Sequence, residues 1–151
     1  MKEWKSMDDI LDFAISEEEA AARFYEDLAG KVERPQMRQL FLDFSQEEMG
    51  HKAKLLNVKK GHLRLATGEK VGDLKVADYL VEVEPDSGMD YQKALIVAMK
   101  KEKAAFKLYT DLAGAAADEE VRQIFLALAQ EEARHKLRFE LEYDDSIVTA
   151  N

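Results

Sequence analysis

Two stretches decide the fold. Residues 45–52 read Ser45-Gln46-Glu47-Glu48-Met49-Gly50-His51-Lys52, and residues 129–136 read Ala129-Gln130-Glu131-Glu132-Ala133-Arg134-His135-Lys136. Both contain Glu-x-x-His, in which two side chains three apart share one face of a helix. The two stretches are also copies of one another at an offset of 84 residues. Between residues 14–52 and 98–136, 18 of 39 aligned positions are identical, far above chance, among them Glu18/Glu102, Tyr25/Tyr109, Leu28/Leu112, Gly30/Gly114, Phe41/Phe125, Glu48/Glu132 and His51/His135. The chain is a repeat of one unit.

Each unit reads as a helical hairpin. Helix 1 is expected from about Ser6, a residue that caps helix N-termini, to Ala29, with Gly30 as the stop. Helix 2 is expected to start near Pro35, which suits a first helical position, and to run to about Lys60, before Gly61. Helix 3 is expected after Asp86-Ser87-Gly88 and to end at Gly114; helix 4 is expected from about Asp118 to Tyr143, with a frayed tail from Asp144 to Asn151. The intervening segment, about Gly61 to Gly88, holds Pro85 and a short helix or extended piece at Val76–Val81. Short loops make the helices of each hairpin antiparallel neighbours, and the long middle segment can travel the length of a bundle. The expected architecture is all-α: a four-helix bundle of two repeated hairpins (about 6–60 and 89–143) joined by one long crossover (about 61–88), within one domain spanning 1–151. That topology is ferritin-like.

Composition agrees. The chain has 151 residues, 35% charged and 46% hydrophobic, with only 2 Pro and 7 Gly, the profile of a folded helical protein. Its 31 acidic against 22 Lys and Arg residues leave a formal net charge of -9, which argues against nucleic acid or an anionic membrane surface as a partner. With no Cys there is no disulfide, zinc ribbon or iron–sulfur site, and a reducing, cytoplasmic location is expected. Residues 1–10 lack an apolar core, so no signal peptide is expected, and no apolar run is long enough to span a membrane.

Steps of four and three along each helix give the buried stripes. They are Met7, Leu11, Ala14, Glu18, Ala21, Tyr25 and Leu28; Met37, Phe41, Phe44, Glu48, His51, Leu55 and Val58; Tyr91, Leu95, Ala98, Glu102, Ala105, Tyr109 and Leu112; and Val121, Phe125, Leu128, Glu132, His135 and Phe139. Every stripe is apolar except at its middle. Four carboxylates and two imidazoles are therefore expected at one level of the interior. Burying even one uncompensated ion costs several kcal/mol, and two divalent or trivalent cations would offset four carboxylates. An O/N donor set without sulfur suits iron or manganese, singly or mixed, better than copper or structural zinc. The competing reading is a metal-free polar network that sets helix register in an interaction protein. Tyr25 and Tyr109 read equally as core aromatics or as hydrogen-bond donors to the carboxylates. Glu17, Glu19, Glu47 and Glu131 flank the stripes and read as solvated, and His62 as a surface or helix-end residue. Trp4 reads as a cap on the bundle end or a contact to a partner subunit.

With these motifs the sequence resembles the rubrerythrin family of ferritin-like di-iron carboxylate proteins over about residues 6–143. The resemblance implies that Glu48 and Glu132 bridge two iron ions, that Glu18 and His51 complete one site and Glu102 and His135 the other. It also implies that Tyr25 and Tyr109 orient carboxylates, and that the centre reduces hydrogen peroxide or oxygen in an oxidative-stress response. A homodimer, with helices exchanged between chains as one option, is implied too. Ferroxidase activity or iron storage is the alternative on the same scaffold. Two departures stand out. The family's four-Cys rubredoxin-like site is missing, so electrons must come from a separate protein such as a rubredoxin. The family's extra Glu, three residues after the third-helix Glu, is Ala105 here. That residue competes in the family with the second-helix His for one iron; its absence implies that His51 stays bound, and it leaves the efficiency of peroxide reduction open.

Overall fold

The computed structural model describes residues 6–62, 75–81 and 90–150, and it is an all-α four-helix bundle. The helices are α1 (Met7–Gly30), α2 (Pro35–Asn57), α3 (Tyr91–Ala115) and α4 (Glu119–Ala150). Trp4, Pro85 and Asp86-Ser87-Gly88 lie outside the described residues, as does the side chain of His62. Among the described residues no helix is long and apolar enough to cross a membrane.

Side chains open three helices. Ser6 accepts from the Asp9 amide at 3.2 Å, Asp90 from the Lys93 amide at 2.8 Å, and Asp118 from the Val121 amide at 2.9 Å. Pro35 opens α2, where its missing N–H is no loss. α2 runs into a π turn, Val58–His62, that ends the helix through Gly61 at φ 83°, a left-handed conformation that favours glycine. The Val76–Tyr79 piece is a 3-10 turn. It packs on α3, with the Tyr79 hydroxyl donating to Asp111 at 2.7 Å.

One sequence expectation is corrected. α4 does not stop at Tyr143 with a frayed tail but continues to Ala150. Asp144 and Asp145 oppose the helix dipole there, which favours fraying. Packing overrides that preference. Arg34 pairs with Asp145 at 3.6 Å and with the buried Glu142, Tyr91 donates to Glu142 at 2.5 Å, and Gln92 donates to the Ser146 carbonyl at 3.3 Å.

The core falls into two apolar clusters. One gathers Met7, Leu11 and Ala14 of α1 with Leu55, Leu112, Val121, Phe125 and Leu128. The other gathers Tyr25 and Leu28 of α1 with Met37, Phe41, Phe44, Leu95 and Phe139. α1 and α4 run from the first cluster to the second, and α2 and α3 run the opposite way. The end of α2 and the start of α3 therefore lie at opposite ends of the bundle, the helix order of a ferritin-like bundle. Backbones approach closely within each hairpin, α1 on α2 and α3 on α4, and much less between hairpins. The wider gap between hairpins is where the charged layer lies.

Candidate metal centre

Glu18, Glu48, His51, Glu102, Glu132 and His135 all meet in that layer, and none is more than 2% exposed. The 4-3 spacing brings Glu18 and Glu102 inward from α1 and α3, and each Glu-x-x-His pair inward from α2 and α4. The Nδ1 of His51 lies 3.1 Å from Glu132, 3.4 Å from Glu18 and 3.9 Å from Glu48. The Nδ1 of His135 lies 2.9 Å from Glu48, 3.7 Å from Glu102 and 3.8 Å from Glu132. The imidazoles are nearly parallel, with planes 16° apart and centroids 6.3 Å apart, and Phe44 stacks on His135 at 4.0 Å.

Two quartets of donors result, Glu18–Glu48–His51–Glu132 and Glu48–Glu102–Glu132–His135, each with one ligand atom per residue and all such atoms within 4.8 Å of one another. Glu48 and Glu132 belong to both. Either quartet could hold a cation, and a pair of cations would share two carboxylates. Among the described residues, seven buried side-chain atoms have no hydrogen-bond partner: Glu18 Oε2, both oxygens of Glu48, His51 Nδ1, Glu102 Oε2, Glu132 Oε1 and His135 Nδ1. Each such orphan costs about 1–3 kcal/mol. Together they would rival the whole stability of a domain, about 5–15 kcal/mol. The donor set fits a pair of metal ions, which would satisfy these lone pairs at once.

Protons do part of that work in the metal-free cluster. Burial, reinforced by the neighbouring carboxylates, pushes Glu48 and Glu132 well above the usual carboxylate range. Burial acts the same way on Glu18, but its close polar contacts with Glu48 and His51 outweigh it and leave Glu18 lowered. Burial alone would lower His51; the close approach of the Glu132 and Glu18 carboxylates to its Nδ1 reverses this and pushes it up to about 11. Metal binding to such a cluster displaces protons.

The two tyrosines cross the gap. Tyr25 of α1 donates to Glu102 of α3, and Tyr109 of α3 donates to Glu18 of α1. Burial and the neighbouring carboxylates raise both phenols well above their ordinary value, so both stay protonated donors.

Two functional residues were missed in the sequence. Glu47 and Glu131 read as solvated, yet Glu131 takes the Nε2 of His51 at 2.5 Å and Glu47 takes the Nε2 of His135 at 3.2 Å. Once a cation displaces the Nδ1 proton, a carboxylate on Nε2 fixes the tautomer and aims the Nδ1 lone pair at the centre. The repeat held the signal: Glu47 and Glu131 are alike in both halves, whereas Glu17 and Glu19 are answered by Lys101 and Lys103. Glu19 pairs with Lys52 at 2.7 Å on the surface. Glu17 stands with Lys101 and Tyr79 around a small cavity between α1 and α3 that reaches Glu18, Glu48 and Glu132 past Ala21 and Ala105. Its volume, about 30 Å³, holds one or two water-sized molecules.

Fold and cluster together define a ferritin-like four-helix bundle with a carboxylate–histidine centre. Two solved structures share the fold. One is a hypothetical protein from Pyrococcus furiosus, 23% identical, with a TM-score of 0.73 over 92% of this chain and 89% of that one. The other, from Thermotoga maritima, is described as a ferritin-like diiron-carboxylate protein; it is 20% identical, with a TM-score of 0.77 over 97% of this chain and 99% of that one. Among curated proteins, no sequence matches. The chain belongs to the rubrerythrin family, whose model matches residues 9–143.

Proposed function

We propose that the chain is a di-iron oxidoreductase that reduces hydrogen peroxide, or oxygen, at a carboxylate-bridged pair of irons. The observation that carries this reading is the interlocking of the two quartets through Glu48 and Glu132, with seven unpartnered buried atoms turned toward one another. In the reading, Glu18 and His51 complete one iron's ligands and Glu102 and His135 the other's. When bound, two ferrous ions supply two electrons and Lewis acidity, so that peroxide, two electrons and two protons give two waters. The protein's part is placement. Tyr25 and Tyr109 hold protons against the Glu102 and Glu18 carboxylates, beside the reacting atoms. Phe44 and the apolar clusters above and below the layer keep bulk water out. The small cavity past Ala21 and Ala105 has room for a molecule the size of hydrogen peroxide or oxygen and little for an organic substrate of ordinary size. The chain has no thiolate-bound electron-transfer centre, having no Cys, and the returning electrons come from a separate donor protein such as a rubredoxin.

The test is iron analysis after anaerobic loading with Fe(II) and desalting, alongside a Glu48→Ala/Glu132→Ala control. About two irons per chain, lost in the control, are expected from the ligand set, with one peroxide consumed per iron pair. Near-zero iron, with no other transition metal retained, would defeat the reading.

A further inference from the structure

The two quartets look equivalent in their ligands, but their surroundings differ. Glu131, behind His51, has that imidazole as its partner and no Lys or Arg in ion-pair range among the described residues. Glu47, behind His135, is shared: Arg134 donates to its other oxygen while also lying over the Phe44 ring, 5.9 Å from its centroid. The position matching Arg134 in the first half is Gly50, which carries no charge. The hydrogen bonds differ in the same sense, 2.5 Å at His51 and 3.2 Å at His135.

A carboxylate that accepts from one imidazole alone raises that ligand's basicity more than one already neutralised by a guanidinium. Arg134 also adds a positive charge beside one quartet only. Flanking positions point the same way, since Glu17 and Glu19 precede and follow Glu18 where Lys101 and Lys103 bracket Glu102. Their weight is small. Glu19 is offset by Lys52 and Arg23, and Glu17 shares the cavity with Lys101. The Glu131/Arg134 contrast dominates.

We infer that the two metal positions are unequal: the one built on His51 and Glu18 binds its cation first and more tightly, because Arg134 weakens the carboxylate support of His135. Glu131, Glu47 and Arg134 are positioning residues in this scheme. The inference rests on the two-metal reading and sharpens it.

Anaerobic titration of the metal-free chain with Co(II), followed by visible absorption and by heat, tests it. Two resolved steps are expected, and His51→Ala should remove the tighter. Glu131→Gln should weaken the tighter step by about tenfold to a hundredfold, the usual range for such a partner, and shift the absorption of the first equivalent. Glu47→Gln should leave that first equivalent's affinity and spectrum unchanged. Arg134→Ala, at a half-exposed position that tolerates truncation, should strengthen the weaker step and narrow the gap. Two equal steps in the unmodified chain, or a gap that Arg134→Ala leaves untouched, overturn the inference while leaving the two-metal centre intact. A chain that retains no Co(II) overturns both.

Discussion

The same four helices build two kinds of region. At either end they present Leu, Phe and Tyr gathered into apolar clusters: Phe125 and Leu128 at one end, Phe41 and Phe139 at the other, all fully buried. In the middle they bring together four carboxylates and two imidazoles whose inward-facing atoms have no partner. The ends are stable as they stand. The middle is tolerable only with a cation or with protons in its place, so the stability of the ends underwrites the chemistry of the middle. This is the physical reason that a protein of this size can hold a buried charged layer.

The comparison can be broken at the ends, at the layer, or at the joint between them. The largest effect should come from the ends. Phe125→Ala should lower unfolding stability by about 3–5 kcal/mol, the usual cost of truncating a buried Phe, and by the same amount with and without metal. Chemical denaturation of both forms checks this; a loss that appears only in the loaded form would mean that the ends do not stand alone.

The layer should behave in the opposite way. Loading with Fe(II) under anaerobic conditions, at about a thousandfold over the dissociation constant, should add roughly 4 kcal/mol. In Glu48→Gln/Glu132→Gln that gain should vanish, while the metal-free form keeps its original stability, because each amide replaces a carboxyl group that burial already favours in its neutral form. Melting curves with and without metal separate the two outcomes. A metal-free double variant less stable than the parent would show that the carboxylates hold the bundle together by themselves.

The smallest effect belongs to the joint. Tyr25→Phe and Tyr109→Phe should each cost about 1–2 kcal/mol, the loss of one buried hydrogen bond to a carboxylate. A double-mutant cycle of Tyr25→Phe with Glu102→Gln should show coupling of at least about 0.5 kcal/mol. Zero coupling would reduce the tyrosine to a packing residue of the apolar end.

The ends and most of the layer were legible in the sequence because helical spacing fixes what a helix buries. Tyr25, Leu28, Phe41, Glu48, His51 and Phe139 lie on stripes drawn at four and three residues, and all are buried. Glu47 and Glu131 escaped that reading. A Glu one residue off the stripe is normally solvated, and only the approach of the two hairpins puts it behind a histidine of the other hairpin. Glu142 escaped too, although it extends the α4 stripe three residues past Phe139. Its partners, Arg34 and Tyr91, come from a loop and a helix start elsewhere in the chain. The last two turns of α4 were unreadable for the same reason. Local charge argued against helix, and long-range pairing decided the matter.

The crossed tyrosine bonds have a consequence for how such a chain can change over generations. Tyr25 serves a glutamate 77 residues away, and Tyr109 serves one 91 residues away. A replacement in one repeat is therefore felt first in the other. The halves are free to diverge on their outer faces, as Gly50 and Arg134 have done, but at the centre each is the template against which the other is selected. Two copies bound in this way keep their family likeness because neither can drift alone.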